Sequence, residues 1–326
     1  MRANAANLAA RVSAKSPEGE VYFTEKVMNE LHSREARVET VGAVPLKGVA
    51  GEVNLYRLTE WLGKIEAAPN PFIWRTGITK AEDFFDRDRE QSTLHAYLHG
   101  KQNCQIVGPR RIGKTSLLRQ IERAASDWDS KTSAAYIDLQ DPRCFTLADW
   151  LGHVSTQFGW AAPASTLLEF AEGVEAMLSK GRHPILCLDE FEQMTLRPAE
   201  FDRDFFSGLR SCGQKGMSLI TASKRPLSEL TRGDDPSSSF YNIFSVVNPA
   251  GFADKDAEDF VNLHRPGVPA FTPQEKKKIL KFAKGHPLAL QVACFHVIEA
   301  KENSDGLTAA LQRAAHDMKA HLPDEW

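Results

Sequence analysis

A glycine-rich stretch that ends in lysine and threonine is the part of the sequence best suited to chemistry. Residues 105–116 read QIVGPRRIGKTS, with an apolar run before them and a helix-forming run after them. In this GxxxxGKT spacing the glycines let backbone N–H groups wrap phosphates, the lysine reaches the β- and γ-phosphates, and the hydroxyl binds Mg²⁺. A helix that begins at Thr115 adds its positive dipole end. The residues predicted to contact the phosphates are Gly108, Pro109, Arg110, Arg111, Ile112, Gly113, Lys114, Thr115 and Ser116.

A pair of carboxylates follows a second apolar run, HPILCLDE, at residues 183–190. Ligands of open α/β sheets bind at the carboxyl ends of such strands. We expect Asp189 to hold Mg²⁺ together with Thr115, and Glu190 to orient or deprotonate the attacking water. An acidic pair at this place is also typical of a solvated strand end. The phosphate loop upstream favours the magnesium site.

Hydroxyl and basic side chains end the next apolar run, MSLITASKRP. A hydroxyl from Thr221 or Ser223 at this edge would contact the γ-phosphate or the attacking water, and Arg225 would meet phosphate charge in the same or a neighbouring subunit. A plain surface loop is the alternative. The predicted catalytic set is therefore Glu190, Lys114 and Arg225.

Two further segments suit a nucleotide. In KGHPLALQ, His286 and Pro287 stand where a helix begins, and the free N–H groups of that helix end would close over a phosphate. The alternative is that His286 only caps the helix. In EDFFDRDREQ, ahead of the first strand of the sheet, Phe85 and Arg87 are candidates for contact with adenine.

Short apolar strands that alternate with helices must position these residues. Five such runs, with helical stretches between the first four, predict an α/β fold with a parallel five-stranded sheet in a three-layer sandwich. They are NCQIVG, AAYIDLQ, PILCLDE, MSLITAS and YNIFSVV. After them the sequence predicts helices: Thr272, Pro273 and Glu275 form a capping box, and Gly285 is a natural helix stop. We interpret this last part as a helical lid.

The first 60 or so residues have a different pattern. A helical spacing in NLAARVSAK precedes a strand at 20–25, a helix near 24–32 and two segments that alternate apolar and polar residues, which predicts a small α+β unit. The proline-bearing segment EAAPNP at 66–71 marks the boundary. The predicted parts are 1–62, a linker over 63–82, the core over 83–252 and the lid over 253–326.

Composition excludes several classes of protein. The net charge of −3 gives no electrostatic footprint for nucleic acid or a membrane surface. The 5 cysteines form no CxxC pair and no metal-ligand cluster, and Cys104 and Cys187 lie in predicted core strands. No run approaches the length of a membrane span, and the N-terminus has no signal layout. We therefore expect a soluble cytoplasmic protein that binds neither nucleic acid nor membrane.

Taken together, GPRRIGKTS, CLDEFE, ITASKRP and GHPLALQ resemble the STAND branch of AAA+-type P-loop ATPases over residues 70 to about 320. The resemblance implies ATP and Mg²⁺ as ligands, an ATPase core with a helical lid, and a nucleotide-gated switch between resting and assembled states. It therefore also implies self-association or a signalling partner. Asp86 departs from the family, which usually has glycine in the F-x-G-R-E motif at this place.

The N-terminal segments NLAARV, GEVYFTE, LKGV and EVNLYRL resemble the C-terminal part of a class III adenylate or guanylate cyclase domain. The family's transition-state asparagine and arginine match Asn7 and Arg11, which fall on one face of a helix. Its two metal-binding aspartates lie in the half that precedes this motif. The resemblance therefore implies a cyclase-like remnant without a two-metal centre.

Three functions compete at this stage. The first is a slowly hydrolysing signalling ATPase fused to a cyclase-like module. The alternative is a nucleotide cyclase that the ATPase unit regulates, with its metal-binding half supplied from outside these residues. The third is a DNA-associated ATPase, which would need a basic helix-turn-helix module that the sequence does not display.

Overall fold

The computed structural model describes residues 2–30, 36–49, 51–61, 70–72, 74–75, 78, 84–85, 87–231, 239–263, 268–303 and 305–322. Contacts divide the chain into an N-terminal unit, residues 1–69 with 265–268, and a larger unit, residues 70–264 with 269–326. Most of the predicted linker lies outside the described residues.

The N-terminal unit is an antiparallel sheet with helices. Its elements are α1 (Arg2–Ser13), β1 (Val21–Thr24), α2 (Glu25–Glu30), β2 (Ala36–Pro45) and β3 (Glu52–Trp61). The strands pair in the order β1-β3-β2. Period-two alternation puts every second side chain on one face, and a small core forms there around Val12, Leu46 and Leu55. The helices and strands predicted from the pattern of this segment are present.

The larger unit is built on a parallel sheet, as predicted. Its strands are β4 (Asn103–Val107), β5 (Thr132–Asp138), β6 (His183–Asp189), β7 (Ser218–Ser223) and β8 (Phe244–Val247). They lie in the order β5-β6-β7-β4-β8, and the paired strands run parallel. The strand before the phosphate loop, β4, is therefore flanked by β7 and β8, and β6 with its acidic end lies one strand further.

Helices cover both faces of this sheet. On one side lie α3 (Asp88–His99) and α4 (Lys114–Trp128); on the other lie α5 (Leu147–Gln157), α6 (Leu167–Ser179) and α8 (Arg203–Lys215). The side chains of β6 alternate between the two cores: Ile185 and Cys187 pack with α3 and α4, whereas Leu186 and Leu188 pack with the other layer. A strand buried on both faces needs apolar residues at every position, which explains its continuous apolar run.

Two short helices follow strands of the sheet: α7 (Glu192–Thr195) after β6 and α9 (Leu227–Leu230) after β7. The unit ends with four helices, α10 (Asp254–Asn262), α11 (Pro273–Ala283), α12 (Pro287–Glu302) and α13 (Leu307–His321). The capping box predicted at Thr272 and Glu275 is present at the start of α11. The chain turns between α11 and α12 at Gly285, where φ is 76°. The last four helices form the region that we predicted as the lid.

Two properties expected from composition can be compared with the fold. All 5 cysteines are buried and free, in agreement with small apolar side chains in core positions. Within the described residues, none of the helices has both the length and the apolar character needed to cross a membrane.

Candidate functional site

The glycine-rich loop joins β4 to α4, which begins at Lys114, one residue earlier than predicted. Gly113 and Arg111 have φ values of 104° and 62°, in the left-handed region that favours glycine. The loop is anchored at its start, because the N–H of Gly108 donates to the carbonyl of Ser223 on β7 at 3.2 Å. The Lys114 Nζ donates to the carbonyls of Gly108 and Pro109, each at 2.9 Å. Two backbone carbonyls at the start of the loop thus bind the ammonium of the lysine at its end.

The carboxylate of Asp189 lies behind this loop and is only 2% exposed. Its Oδ2 accepts a hydrogen bond from the Tyr136 hydroxyl at 2.8 Å, and its Oδ1 accepts one from the N–H of Glu190 at 3.0 Å. The Thr115 side chain lies close enough to lower the pKa of this carboxyl, but burial is the largest influence and the pKa of Asp189 is raised. The two residues predicted to hold Mg²⁺ are therefore brought together.

Glu190 occupies the next position, half-buried at the end of β6 with a left-handed φ of 52°. Burial raises the pKa of its carboxyl, and the charges of Asp189 and Glu192 raise it further, while Lys114 opposes the shift. Burial in turn lowers the pKa of Lys114, against the attraction of the same carboxylates. The site holds opposite charges close together in a poorly solvated place.

A cavity of about 320 Å³ opens between the loop, the end of β6 and the last helices. This volume lies in the range of pockets for small organic ligands. The lining residues are Trp74, Ile78, Phe85, Arg110, Arg111, Gly113, Lys114, Thr115, Ser116, Gln140, Glu190, Phe252, Phe260, Pro287, Leu288 and Gln291. Cations and polar groups come mainly from the loop and the strand ends, and apolar side chains come from the segments before α3, from Phe252 ahead of α10, and from α10 and α12.

The apolar part of the cavity is largely aromatic. The Phe85 ring meets those of Phe252 and Phe260 with centroids 5.9 and 5.4 Å apart. Trp74 is held by rings of α12 and α13, at 6.2 Å from Phe295 and 5.2 Å from His321. Flat, apolar walls of this kind suit a planar ring. Phe85 lines this part of the cavity, and its contact with adenine stays a prediction.

The predicted lid residues stand at the start of α12. Pro287 is the first residue of the helix and lines the cavity. His286 is its N-cap residue but makes no side-chain cap hydrogen bond. Burial, followed by the charge of Arg87, lowers the pKa of His286. The helix end lies at the cavity as predicted, whereas His286 itself is not among the described lining residues.

The end of β7 differs most from expectation. Along this strand Leu219 packs with α5, α6 and α8, while Ile220 and Ala222 pack with α3 and α4. Alternation therefore places Thr221 on the face of Leu219, whereas Asp189 follows Cys187 on the α4 face. The sequence could not reveal the face on which Thr221 lies. When every residue of a strand is apolar, the pattern does not show which residues face which layer, and the packing of the neighbouring strands and helices decides it.

Ser223 and Arg225 lie closer to the loop. The Ser223 hydroxyl donates to the carbonyl of Arg225 at 2.7 Å, and its own carbonyl accepts the Gly108 N–H. Ser223 is thus tied to the loop through its backbone, and its hydroxyl has a protein partner. The Arg225 side chain is exposed at this edge of the sheet.

Several residues of the site were not singled out from the sequence. Tyr136 bonds to Asp189, and the Arg119 guanidinium lies 3.4 Å from the centroid of its ring. Glu192 accepts a hydrogen bond from the backbone N–H of Lys224, which joins the ends of β6 and β7. For Tyr136, the available signal was a tyrosine in a buried strand, since its hydroxyl needs a partner. Glu192 was visible in the sequence as the last residue of CLDEFE.

A second cavity, of about 650 Å³, lies beside α6 and is lined by residues such as Trp160, Gly173 and Arg182. It contains none of the predicted site residues. Among the described residues, no three His, Cys, Asp or Glu side chains form a metal cluster. Mg²⁺ does not require one, because it is usually held by one or two carboxylates together with substrate phosphates.

The cyclase-like pair belongs to α1 of the N-terminal unit. The Asn7 side chain lies outside the described residues. The Arg11 guanidinium packs on Gly48, where an added Cβ would come within 2.6 Å of Nη1. The pairing of Asn7 with Arg11 therefore stays a prediction.

Comparison with known proteins agrees with the fold of the larger unit. Residues 97–230 match the family described as AAA domain, a segment that runs from the end of α3 through α9. The segment includes the glycine-rich loop and the acidic end of β6, and it does not reach the N-terminal unit. Comparison with curated proteins returned no match.

Solved structures of low sequence identity share the fold. The Walker-type ATPase PABY2304 of Pyrococcus abyssi is 18% identical with a TM-score of 0.58, over 77% of this chain and 76% of that one. The ADP form of Aeropyrum pernix ORC2 is 16% identical with a TM-score of 0.57, over 75% and 71%. ORC1 of the same organism, in complex with DNA, is 16% identical with a TM-score of 0.54, over 72% and 66%. The larger unit is similar in fold to these three proteins.

Proposed function

We propose that this protein binds magnesium-ATP in the cavity of the larger unit and hydrolyses it slowly. One observation carries the proposal: Lys114, Thr115, Asp189 and Glu190 converge where the glycine-rich loop meets the end of β6. Phosphate needs backbone N–H donors and a cation, and Mg²⁺ needs hard oxygen ligands. The aromatic wall of the same cavity suits a purine ring.

Each group has a part in the proposed site. Backbone N–H groups of the loop and the Lys114 ammonium hold the β- and γ-phosphates, and Arg110 and Arg111 add positive charge at the rim. The start of α12, with His286 and Pro287, closes the site from the lid. Phe85 packs on the base together with Trp74 and Phe252.

The hydroxyl of Thr115 and the carboxylate of Asp189 fit Mg²⁺, because both are hard oxygen ligands and they lie near each other beside the phosphate loop. Bound Mg²⁺ would neutralise charge on the β- and γ-phosphates. The ionised carboxylate of Asp189 is the form that would bind the cation. Tyr136 fixes the carboxylate by its hydrogen bond.

Glu190 performs the catalytic step in this proposal. Its carboxylate orients a water molecule in line with the γ-phosphorus and accepts the proton that the water loses, and the water oxygen forms a new P–O bond as the bond to the ADP oxygen breaks. Positioning of this kind stabilises the transition state with little covalent chemistry. Arg225, exposed at the sheet edge, is our candidate for a cation that reaches phosphate in a neighbouring copy.

The role beyond hydrolysis is a finer proposal. The STAND resemblance supports a signalling switch in which nucleotide state controls self-association or contact with a signalling partner. The N-terminal unit would transmit or receive that state as a cyclase-like module. The alternative, a cyclase regulated by the ATPase unit, requires metal-binding aspartates from outside the residues that resemble the family.

Nucleic acid is not part of the proposal. The similar fold of ORC1 was solved in complex with DNA, but the net charge of −3 in this chain provides no overall attraction for a phosphate backbone. The chemistry of the cavity accounts for a nucleotide with its phosphates and needs no nucleic acid.

Steady-state turnover with the Glu190→Gln variant tests the proposal. The amide keeps the shape of the side chain and loses the charge that aligns water, so kcat should fall by about 10²-fold or more while ATP affinity stays within a factor of about two. Glu172→Gln, an exposed change on α6, is the matched control. Equal turnover in Glu190→Gln and parent would place the water-orienting group elsewhere.

A further inference from the structure

Arg87 is a buried cation that the proposed chemistry does not use. It immediately precedes α3, has a left-handed φ of 76° and is only 5% exposed. A buried charge is costly unless it is paired and hydrogen-bonded, and a left-handed backbone at a non-glycine residue adds strain. Such a residue persists only where its surroundings hold it in place.

Three separate segments hold the guanidinium. Its Nη2 donates to the carbonyl of Ile112 in the glycine-rich loop at 2.8 Å. Its Nη1 donates to the carbonyl of Ala250, between β8 and α10, at 2.5 Å, and to Glu90 Oε1 on α3 at 2.9 Å. These bonds use three of the five N–H donors of an arginine. The guanidinium is therefore committed to protein groups, in contrast to the adenine contact expected from the sequence.

The bond to the loop controls a peptide plane at the cavity. In a trans peptide the carbonyl oxygen and the following N–H point in opposite directions. A hydrogen bond that draws the Ile112 carbonyl toward Arg87 therefore turns the N–H of Gly113 away from it. Gly113 lines the cavity, and its N–H is one of the donors that this loop type offers to phosphate.

The bond to Ala250 leads to the lid. Arg87 also lies over the Phe252 ring, 5.0 Å from its centroid. The N–H of Phe252 donates to the carbonyl of Gly285 at 2.8 Å, and Gly285 directly precedes the residues that begin α12. A continuous set of contacts thus runs from the phosphate loop through Arg87 to the end of α12 that faces the cavity.

We infer that Arg87 is a positioning residue that couples the phosphate loop to the lid, so that the donors of the loop and the start of α12 are ordered together. The inference deepens the proposed function and rests on it for the identity of the ligand. Arg87 touches no phosphate in this account. It acts through Ile112 and through Ala250 and Phe252.

Hydrogen exchange of the full, ligand-free chain tests the coupling without nucleotide. In Arg87→Ala we expect faster exchange, by about tenfold, in two places at once: the loop over 108–115 and the segments around 250–253 and 284–288. Amides of β6, an interior strand of the sheet, should exchange as in the parent. Arg89→Ala, an exposed neighbour on α3, is the matched control and should change neither segment.

Conservative variants separate the contacts. Arg87→Lys keeps the charge but cannot bridge both carbonyls with a planar fork, so we expect partial loosening. Glu90→Gln removes the ion pair and leaves both carbonyl bonds, so loop and lid should stay coupled. Uniformly faster exchange in all strands would reduce Arg87 to a general stabilising residue, and faster exchange in only one of the two segments, or in neither, would overturn the coupling.

ATP titration of the same variants distinguishes the two claims. If the parent binds ATP, Arg87→Ala should bind it at least about tenfold more weakly and lose the protection that ATP confers on 284–288. Protection of 284–288 by ATP that persists in Arg87→Ala would overturn the inference. If the parent binds no ATP while hydrogen exchange of the ligand-free variants changes as expected, the proposed function is wrong. The coupling of the loop to the lid through Arg87 would still hold.

Discussion

Burial sets the charge states of the residues around the loop. The carboxyls of Asp189 and Glu190 have raised pKa values and the Lys114 ammonium has a lowered one, in each case chiefly because the group is removed from water. Poorly solvated groups of opposite charge are arranged in this way at functional sites more often than on ordinary surfaces. The arrangement favours a ligand that brings both negative phosphates and a divalent cation.

The raised pKa of Glu190 predicts where the rate of ATP hydrolysis falls as the pH is lowered. Hydrolysis needs the ionised carboxylate, and a group with a raised pKa takes up its proton at a higher pH as the solution is acidified. We therefore expect kcat/KM, which reports the free enzyme, to fall with a midpoint above about 4.3, the ordinary value for glutamate. The pH profile of kcat/KM measures this. A midpoint at or below the ordinary value would contradict the proposed role of Glu190.

The buried hydroxyl of Thr221 leads us to expect that its removal stabilises the protein. Its Oγ1 is fully buried with no hydrogen-bond partner among the described residues, so Thr221→Val removes an unsatisfied polar group and keeps the shape. The free energy of unfolding should rise by about 1 kcal/mol.

Ser223→Ala, on the same strand, is the control for this prediction. It loses the bond to the Arg225 carbonyl and should lower the free energy of unfolding by about 1 kcal/mol. Chemical denaturation of the full chain measures both variants. Destabilisation by Thr221→Val would show that the hydroxyl has a partner in solution.

The chemistry of the site was partly predictable from single residues. The spacing of Gly108, Gly113, Lys114 and Thr115 indicated the loop, because this pattern is local in the chain. The partner of the Tyr136 hydroxyl and the contacts of Arg87 were not predictable, since the first depends on which strand lies beside β5 and the second on carbonyls that are distant in the sequence.

Strands and helices followed local pattern closely. Each of the five apolar runs became a strand of the parallel sheet, because a strand buried on both faces is recognisable by its continuous apolar sequence. The order β5-β6-β7-β4-β8 could not be derived in this way. The order of the strands depends on the packing of the whole sheet. This order places β7 between β4, which precedes the loop, and β6, which ends in the acidic pair.

The turn into α12 gives a prediction at the level of elements. A Cβ at Gly285 would lie 2.5 Å from the Phe252 carbonyl oxygen, and φ there is 76°. Gly285→Ala should therefore destabilise the protein by about 2–4 kcal/mol and weaken ATP binding, because it displaces the start of α12.

Gly159→Ala separates the two causes. Gly159 has a similar φ of 70° but nothing within 4 Å of an added Cβ, so this variant carries backbone strain alone, about 1 kcal/mol. Thermal unfolding and ATP titration of both variants make the comparison. Equal effects would show that the contact between Phe252 and Gly285 does not restrict the lid.

At the scale of the whole molecule, the chain joins an antiparallel α+β unit to an α/β unit with a parallel five-stranded sheet. The sequence indicated both, because the period of apolar residues changes between them. It did not decide the function of the first unit. A resemblance spread over a few short segments gives no contact geometry, and the Asn7 side chain lies outside the described residues.

We predict that this chain alone makes no cyclic nucleotide from ATP or GTP, with Mg²⁺ or Mn²⁺ present. Cyclisation by the cyclase family needs two metals to activate the 3′-hydroxyl, whereas Asn7 and Arg11 would only stabilise charge that develops later. Chromatography of reaction mixtures checks this. Cyclic AMP formed by the parent and lost in Arg11→Ala would instead favour the regulated cyclase.

The most direct test of the account is calorimetric titration of the full chain with magnesium-ATP. We expect one site in the parent and an affinity at least about tenfold weaker in Lys114→Ala, because a charged hydrogen bond in a desolvated site is lost. Lys277→Ala, an exposed change on α11, should bind as the parent does. If Lys114→Ala binds magnesium-ATP with unchanged affinity, the glycine-rich loop is not the nucleotide site.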